Sequence, residues 1–516
     1  MSKLSILLVL VIGAVYAADN IRISGANQAE YWLFVDDRLD TLNYKEHFTE
    51  KLKLSAQYND IILRGVFFSW DPSLFTFFGN LHYIDYSVQY AKKPVEILYG
   101  RYYATFGRGL VLNQFQDEDF RIDKSLFGFK ADISFMKSTL TLLTGKPRNI
   151  FFEEQQYIVK NEEDTSAQIR GANFETHYSP RILGEVNVVT SLGARYVRIN
   201  RDSDLAGNAF TELYGGNIGI IIGPWETYME YARQWGTRPV VGGRLDGSGI
   251  IASTGLAIPG LGISFQFVEY DTIGFPFHNA NFRYNEPLTP IKSGIAVNRG
   301  IDEIGYGASI IASPFDFMSI EIDYNKISTH DSSLSKFEEI LMLDEDMAGG
   351  VLEQTVKIIT HPKLELEISA GVDRYVKRNI EIPITEKIET KPYVDMTYDF
   401  GTFYMEAGYE HTFISAELPG TVEEYYDHAA SIAIGKPELF VLSLRYERRN
   451  QVPEELIEKL GEETSWPLAE LSLDITRKHN LRVRVGGEKG GLVCMGGVCR
   501  EEEPFRGVKV VLTSIF

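Results

Sequence analysis

The chain has 516 residues, a formal net charge of −20, nine His and two Cys. This acidic balance argues against nucleic acid or an anionic membrane surface as an electrostatic partner. The most apolar internal stretch, GIIASTGLAIPGLGISFQF, is interrupted by Gly, Ser, Thr and Pro, so it does not predict a membrane-spanning helix. Any membrane span of this chain is therefore expected to consist of strands.

The first twenty residues, MSKLSILLVLVIGAVYAADN, are typical of an export signal. Lys3 precedes an apolar run from Leu4 to Val15, and small residues lead up to a cleavage point after Ala17. We predict a signal peptide at residues 1–17 and one mature domain at residues 18–516.

Alternation with a period of two residues recurs along the mature chain, whereas long helical periodicity is almost absent. In MSIEIDYN, for example, Ile320 and Ile322 fall on one face while Glu321 and Asp323 fall on the other. The pattern predicts an all-β protein whose strands have one apolar face.

The lengths of the connections separate a barrel from other all-β folds. Short turns such as GPWE, PGLG and HPKL alternate with long segments such as SAELPGTVEEYY and STHDSSLSKFEEILMLDEDMAGG, which are expected to be loops. A propeller would repeat its connections about every four strands, whereas a transmembrane barrel alternates short and long ones. We predict an up-and-down antiparallel β-barrel of about 24 strands, within a range of roughly 20 to 26, with short periplasmic turns and long extracellular loops.

The C-terminal segment GVKVVLTSIF ends on an aromatic residue. Val508, Val510, Leu512, Ser514 and Phe516 share one face of the predicted last strand. This strand resembles the C-terminal signal by which outer-membrane barrels are recognised and inserted by their assembly machinery, although Ser514 replaces the usual apolar residue. The resemblance implies the bacterial outer membrane as location, with its lipid and that machinery as partners.

Two segments resemble a known family. YGRYYATFGRGLVLNQFQDEDFRIDKSLFGFKA and GGLVCMGGVCREEEPFRGV are similar to parts of a large bacterial outer-membrane barrel family of unknown function. The resemblance supports the barrel and implies little about activity.

The two cysteines lie in the segment LVCMGGVCREEE. If Gly496 and Gly497 form the centre of a tight hairpin turn, Cys494 and Cys499 occupy a directly opposed pair of positions. Such pairs lie within bridging distance, and an exported protein meets an oxidising compartment. We predict one disulfide between them rather than a metal site.

Polar residues on the predicted strands define a candidate lumen. The lumen-facing candidates are Asp85, Glu321, Asp323, Glu365, Glu367, Asp373, Glu406, Glu410, Arg445, Glu470, Asp474, Arg482 and Arg484. Cross-strand ion pairs explain some of them, such as Arg482 and Arg484 beside Glu470. The surplus of carboxylates leads to the hypothesis of a cation preference.

One segment, TFGRGLVLNQFQDEDFRID, breaks the strand pattern. A barrel of this size encloses more space than its own side chains fill, so an inward-folded constriction is one interpretation. Its candidate residues are Arg108, Asn113, Gln114, Asp117, Glu118, Asp119 and Arg121. An ordinary external loop, or two extra short strands, is the alternative interpretation.

Aromatic residues cluster near the predicted strand ends. Trp225, Phe315, Phe400 and Phe440 lie beside short turns, and Trp70, Trp235 and Trp466 lie beside long loops. They fit two membrane-boundary belts, and the alternative is that they are ordinary sheet aromatics.

Catalytic motifs are missing from the sequence. It has no GxSxG, HExxH, GxxxxGK[ST] or CxxC pattern, and its His residues are scattered singly. We therefore expect no enzyme activity, cofactor or metal. The expected function is passive, porin-like passage of small polar solutes, and the alternative is a surface protein without transport that serves adhesion, envelope organisation or partner assembly.

Overall fold

The protein is described here from a computed structural model. The described residues are 21–36, 43–71, 81–117, 122–153, 158–163, 167–179, 188–203, 207–237, 244–273, 303–330, 349–379, 384–456, 464–495, 498–502 and 505–516. Within these ranges no helix has the length and apolarity needed to cross a membrane. The predicted signal peptide at residues 1–17 lies outside them.

Strands dominate both halves of the described chain. The first half contains β1 (Ile21–Asp36), β2 (Asn43–Tyr58), β3 (Ile61–Asp71), β4 (Leu81–Lys92), β5 (Val95–Tyr102), β6 (Ala104–Phe106), β7 (Leu112–Gln114), β8 (Gln116–Asp117), β9 (Ile122–Phe135), β10 (Ser138–Glu153), β11 (Ile158–Glu163), β12 (Ala167–Tyr178), β13 (Val188–Ser203), β14 (Gly207–Ile222) and β15 (Trp225–Thr237). The second half contains β16 (Arg244–Ile258), β17 (Leu261–Asp271), β18 (Glu303–Phe315), β19 (Met318–Thr329), β20 (Gly350–Lys363), β21 (Leu366–Arg378), β22 (Glu386–Asp399), β23 (Tyr404–Leu418), β24 (Thr421–Lys436), β25 (Phe440–Arg449), β26 (Ser465–Thr476), β27 (His479–Glu488), β28 (Gly491–Met495), β29 (Val498–Glu502) and β30 (Phe505–Ile515), with a 3-10 helix at Glu454–Leu456.

These strands form one closed antiparallel barrel. Apart from β6, β7, β8, β11, β28 and β29, each described strand pairs with a neighbour on both sides, so the barrel wall has 24 strands. β8 and β11 add short pairings to β9 and β10, while β6–β7 and β28–β29 are separate hairpins. The predicted all-β barrel and its strand number are confirmed.

The two ends of the chain close the barrel. β1 pairs with β30 from Ala26 opposite Ile515 to Phe34 opposite Gly507. Gly25 and Phe516 then exchange two backbone hydrogen bonds, at 2.9 Å and 3.0 Å. Phe516 is thus the last rung of the closing seam, because its backbone joins the final strand to the first.

Side chains alternate between an apolar exterior and a packed interior. On β15, Met229 and Tyr231 are exposed on the exterior, whereas the alternate residues Glu230 and Ala232 are buried. The other long strands follow the same rule, with exposed Ile, Leu, Val, Tyr and Phe on the exterior face. One residue of register therefore decides which side of the wall a side chain reaches.

The aromatic residues only partly follow the predicted belts. Beside the short turns Trp225, Phe315 and Phe400 are exposed on the exterior. Trp70 and Trp466, in contrast, are only 2% exposed and lie on the interior face, so their expected place in an outer belt is wrong. Each lies one residue out of phase with the exterior positions of its strand.

The connections also correct one detail of the prediction. The segment SAELPGTVEEYY, expected to be a long loop, is largely strand, because β23 and β24 continue to a tight turn between Leu418 and Thr421. β23 and β24 have 15 and 16 residues, more than the roughly 9–11 residues that a strand needs to cross a bilayer.

The predicted disulfide falls in the hairpin of β28 and β29. The backbone register places Cys494 directly opposite Cys499. The side chains of both residues lie outside the described part of the structure, and so do Gly496 and Gly497. The disulfide stays a prediction, and the backbone register is compatible with it.

The closing seam yields a first testable prediction. A Cβ added at Gly25 would lie 2.5 Å from Phe516 Cζ and 2.9 Å from the carbonyl oxygen of Lys53, whereas at Gly262 it would lie 4.0 Å from the carbonyl oxygen of Ile311. We expect Gly25→Ala to lower stability by about 1–3 kcal/mol through overpacking and Gly262→Ala to change it little. The temperature at which the folded band converts to the unfolded band in a detergent gel measures both. Equal transition temperatures would contradict the role given to the seam.

Candidate functional site in the barrel interior

Between β5 and β9 the chain leaves the barrel wall. β6 and β7 form a small antiparallel hairpin, with Ala104 opposite Gln114 and Phe106 opposite Leu112. Gly107 and Gly109 have φ angles of +60° and +99° at its tip, a conformation that glycine adopts without steric strain. The interior hairpin, defined as residues 104–114, therefore turns tightly enough to fit within the bore.

The interior hairpin builds an apolar core inside the barrel. Leu110, Val111 and Leu112 are fully buried, and Phe106 is 1% exposed. Their apolar cluster includes side chains from one continuous part of the wall. These wall residues are Leu126, Leu143, Ile169, Val197, Ile199, Leu213, Ala232, Ile251, Val268, Tyr270, Ile327 and Val351. This half of the bore is packed in the way a protein core is.

A buried carboxylate anchors the hairpin tip. Glu230 on β15 accepts hydrogen bonds from Arg195 Nη1 at 2.7 Å, from the Tyr228 hydroxyl at 2.5 Å and from the backbone N–H of Arg108 at 2.8 Å. The side chains of Arg195 and Glu230 are both fully buried. A pair this deep requires several hydrogen bonds to offset the desolvation of two charges, and the hairpin backbone supplies one of them.

The Arg108 side chain continues this network towards the neighbouring strand. Its Nη1 donates to Ser253 Oγ at 2.9 Å, and its guanidinium carbon lies 4.0 Å from the centre of the Tyr228 ring. A side chain added at Gly107 would overlap the guanidinium of Arg195. These contacts hold the hairpin tip at one position on the wall. We call the four residues that make them the Glu230 anchor (Arg108, Arg195, Tyr228 and Glu230).

A second ionic cluster lies where the chain turns inward. Arg148 Nη1 donates to Asp85 Oδ1 at 2.8 Å, and its Nη2 donates to the other carboxylate oxygen. Arg101 Nε donates to the same Asp85 at 3.2 Å. Tyr103, the residue before the hairpin, donates its hydroxyl to Asp123 at 3.0 Å. Charged groups on the wall therefore hold the interior hairpin at its tip, through Glu230, and at its beginning, through Asp123.

The candidate constriction residues are only partly described. Arg108, Asn113 and Gln114 belong to the interior hairpin, and Asn113 accepts a hydrogen bond from the Thr105 hydroxyl at 2.9 Å. Asp117 ends β8, but its side chain is not described. Glu118, Asp119 and Arg121 lie outside the described residues.

Several lumen-facing candidates form ion pairs within the interior face. Glu470 pairs with Arg484 at 2.6 Å and with Arg482 at 3.8 Å, as the cross-strand interpretation expects. Arg445 pairs with Glu447 at 2.6 Å. Two further carboxylates make contacts of the same kind. They are Asp85, described above, and Asp373, which lies 3.4 Å from Lys391.

Other lumen-facing candidates lie near the short turns or on the interior face of β19. Glu367 lies 3.0 Å from His361, and Asp474 accepts a hydrogen bond from Asn480 at 2.8 Å. Glu321 and Asp323 lie on β19, where Asp323 is 3% exposed. The prediction that Glu365 faces the lumen from a strand is wrong, because Glu365 lies exposed in the turn between β20 and β21.

Glu406 and Glu410 on β23 differ from the other candidates. Both share the interior parity of Ile414 and Ala416, which are buried there. Neither makes an ion pair with any residue that the structure describes. Their charges therefore remain available to the interior of the barrel.

A second connection packs inward on this side of the barrel. Leu456, from the 3-10 helix, is fully buried in a cluster with Ile414, Leu418 and Tyr425. Beside it Arg449 donates to both carboxylate oxygens of Asp427, at 2.8 Å and 3.0 Å. The long-loop end of this wall is thus also capped by apolar packing and a buried ion pair.

The sequence interpretation missed the central groups of the site. Glu230 and Arg195 lie on strands with ordinary alternation, and nothing in their spacing marks them as partners. The sequence carries one weak indication of the apolar interior: Ile250 and Ile251 are both apolar, whereas strict alternation would make one of two successive residues polar. A strand with two apolar faces indicates packing on both sides.

The fold and the interior define a class of protein: a large closed β-barrel whose bore holds a hairpin of its own chain. The chain belongs to a family of unknown function, DUF6029, whose model matches residues 1–289. The family resemblance predicted from the sequence is thereby confirmed. No curated protein matches the chain in sequence.

Solved structures with a similar arrangement of strands are distant in sequence. The P pilus usher (PapC) translocation pore is 9% identical with a TM-score of 0.47, over 96% of this chain and 99% of that chain. The ferric enterobactin receptor PfeA of Pseudomonas aeruginosa is 10% identical with a TM-score of 0.46, over 96% and 81%. The outer membrane protein opdK of Pseudomonas aeruginosa is 12% identical with a TM-score of 0.39, over 74% and 98%.

The Glu230 anchor yields a second testable prediction. Glu230→Gln leaves the Arg195 charge buried without its counter-charge, which is expected to lower stability by about 3–5 kcal/mol. Glu226→Gln is the matched control, because Glu226 shares the strand and the interior parity but is exposed. Thermal conversion of the folded band in a detergent gel compares the two variants. A Glu230→Gln protein as stable as the control would contradict the anchor.

Proposed function

We propose that the protein is a passive outer-membrane channel for small polar solutes, narrowed by the interior hairpin and preferring cations. The observation that carries the proposal is the hairpin itself, folded into a barrel of 24 strands. A barrel of that size is wide enough for a water-filled bore. A segment packed against one side of the wall narrows that bore, and no separate plug domain is needed for this.

The exterior supports the membrane location. Exposed apolar side chains occur on strands all around the wall, for instance Leu63, Ile218 and Ile432, at 51%, 42% and 46%. Aromatic residues at the short turns fit a membrane boundary on that side. A face this apolar on a closed barrel is suited to lipid. The predicted export signal at residues 1–17 supports the same location.

The last strand supports insertion by the barrel-assembly machinery. Val508, Val510, Leu512 and Phe516 share the exterior parity of β30, and Leu512 and Phe516 are exposed there. Because β30 closes the barrel against β1, its recognition and the closure of the seam involve the same residues. The proposal includes no catalytic reaction and no cofactor.

The two carboxylates on β23 support the cation preference. Glu406 and Glu410 lie on the wall away from the apolar core of the interior hairpin, and they make no ion pair with described residues. Uncompensated carboxylates in a narrow aqueous passage attract cations and repel anions.

The width of the bore is tested by removing the hairpin. Replacing residues 104–114 with a short Gly-Ser linker is expected to raise single-channel conductance in planar bilayers, because water and ions then occupy the vacated half. Heat-modifiable migration in a detergent gel controls for folding. Folded protein of both forms that stays electrically silent would contradict the channel.

The alternative of a surface protein without transport has one observation in its favour. Apolar clusters around Leu112 and around Leu456 occupy interior space at separate places. Silence of the folded wild type together with the folded hairpin-deleted form would support this function.

Ion selectivity is tested separately. The double variant Glu406→Gln, Glu410→Gln is expected to shift the reversal potential in a KCl gradient towards that of an anion-preferring or unselective channel. Glu424→Gln, on the exterior face of β24, is the control that removes a charge outside the bore. An unchanged potential in the double variant would exclude these carboxylates as the source of selectivity.

A further inference from the structure

Two histidines and a tyrosine converge on the exterior of β23 and β24. Tyr409 and His411 are two residues apart on one face of β23, and His428 lies directly opposite His411 in the register. Tyr409 is 45% exposed. Towards the short-turn end the exterior residues of β24 are Ala430, Ile432 and Ile434. In the other direction the next exterior residues are Phe413 and Tyr426, and the charged Glu417 and Glu424 follow them, so the group lies in an aromatic part of the surface close to charged positions.

The polar atoms of this group approach one another closely. The Nδ1 atoms of His411 and His428 are 2.9 Å apart, and the Tyr409 hydroxyl lies 2.8 Å from the same Nδ1 of His428. A neutral imidazole nitrogen either donates one hydrogen or accepts through one lone pair. His428 Nδ1 therefore serves one of its two neighbours well and the other poorly. A cation between the three atoms would accept one lone pair from each of them.

The separations match coordination to a metal. Ligand nitrogens bind divalent first-row metals at about 2.0–2.1 Å, so two of them are about 2.9 Å apart at a right angle and about 3.4 Å apart at the tetrahedral angle. The observed separation of the His411 and His428 nitrogens, 2.9 Å, corresponds to the right angle. Right-angled nitrogen and oxygen ligands are typical of tetragonal Cu²⁺ or Ni²⁺ and not of tetrahedral Zn²⁺.

We propose that Nδ1 of His411, Nδ1 of His428 and the oxygen of Tyr409 form a surface binding site for Cu²⁺. On binding, the Tyr409 hydroxyl releases its proton to solvent as its oxygen coordinates the metal, and water completes the coordination sphere. Within the described chain no group of three or more His, Cys, Asp and Glu residues is arranged to hold a metal. Tyrosine is what extends this histidine pair to three ligands.

Neighbouring side chains hold the imidazoles and set the strength of the site. The ring of Phe413 lies 4.1 Å from that of His411, edge to face, and Tyr426 lies 5.1 Å from His428 in the same arrangement. Arg448 lies opposite His428 on β25 and is exposed. Its positive charge opposes a bound cation, so the site is expected to exchange copper with the solution rather than to retain it.

Copper titration of the untagged, folded chain in detergent tests the site. The wild type is expected to bind Cu²⁺ with nitrogen coupling in its electron paramagnetic resonance spectrum and with a visible tyrosinate-to-copper absorption band. His428→Phe and His411→Phe keep an aromatic ring but should weaken binding by on the order of tenfold or more. Tyr409→Phe should remove the visible band.

His361→Phe is the matched control, because His361 lies outside the group, beside Glu367. It should bind copper as the wild type does, and heat-modifiable migration confirms that each variant is folded. Two results would overturn the site: wild type that binds no copper, or copper binding that persists unchanged in the folded double variant His411→Phe, His428→Phe. The close nitrogens would then be a hydrogen bond with one shared proton.

Discussion

Closure of the sheet is the constraint on which the rest of this structure depends. A strand surrounded by hydrocarbon has no water to satisfy its N–H and C=O groups, so both of its sides must pair with other strands. Here the first and last strands meet, and Gly25 and Phe516 complete the ladder between them. Once the ring is closed, the alternation of side chains assigns each residue to the exterior or the interior. The apolar surface and the interior network both follow from that assignment.

The interior departs from a uniform polar lining. One part of the wall turns apolar side chains inward and receives the interior hairpin, while β21 to β27 carry ion pairs and carboxylates. Burying the Arg195 and Glu230 charges is unfavourable in itself, and the hydrogen bond that Glu230 accepts from the Arg108 N–H at the hairpin tip is one of those that offset this desolvation. The pair therefore specifies where the hairpin sits rather than adding net stability. An asymmetric bore, packed on one side and charged on the other, is the consequence.

The exterior is asymmetric as well. Most of it carries exposed Ile, Leu, Val, Tyr and Phe side chains, whereas β23 and β24 also carry histidines on their way to a tight turn between Leu418 and Thr421. His411 and His428 lie opposite each other on these two strands, half-buried beside the rings of Phe413 and Tyr426. The two long strands that replace an expected loop thus present polar groups on the exterior.

The sequence alone determined the class of the fold, because alternation and connection length are local properties of the chain. Period-two patterns such as Ile320 to Asp323, and turns such as GPWE, were sufficient for a barrel of about 24 strands. The position of residues 104–114 remained open between an inward segment and an external loop, and Trp70 and Trp466 were assigned to the wrong face. Only the tertiary structure brought Arg108 to Glu230, which is 122 residues away along the chain, and His411 to His428. Such contacts depend on the register of paired strands and on where the hairpin folds inside the ring, and no local sequence pattern encodes either of these.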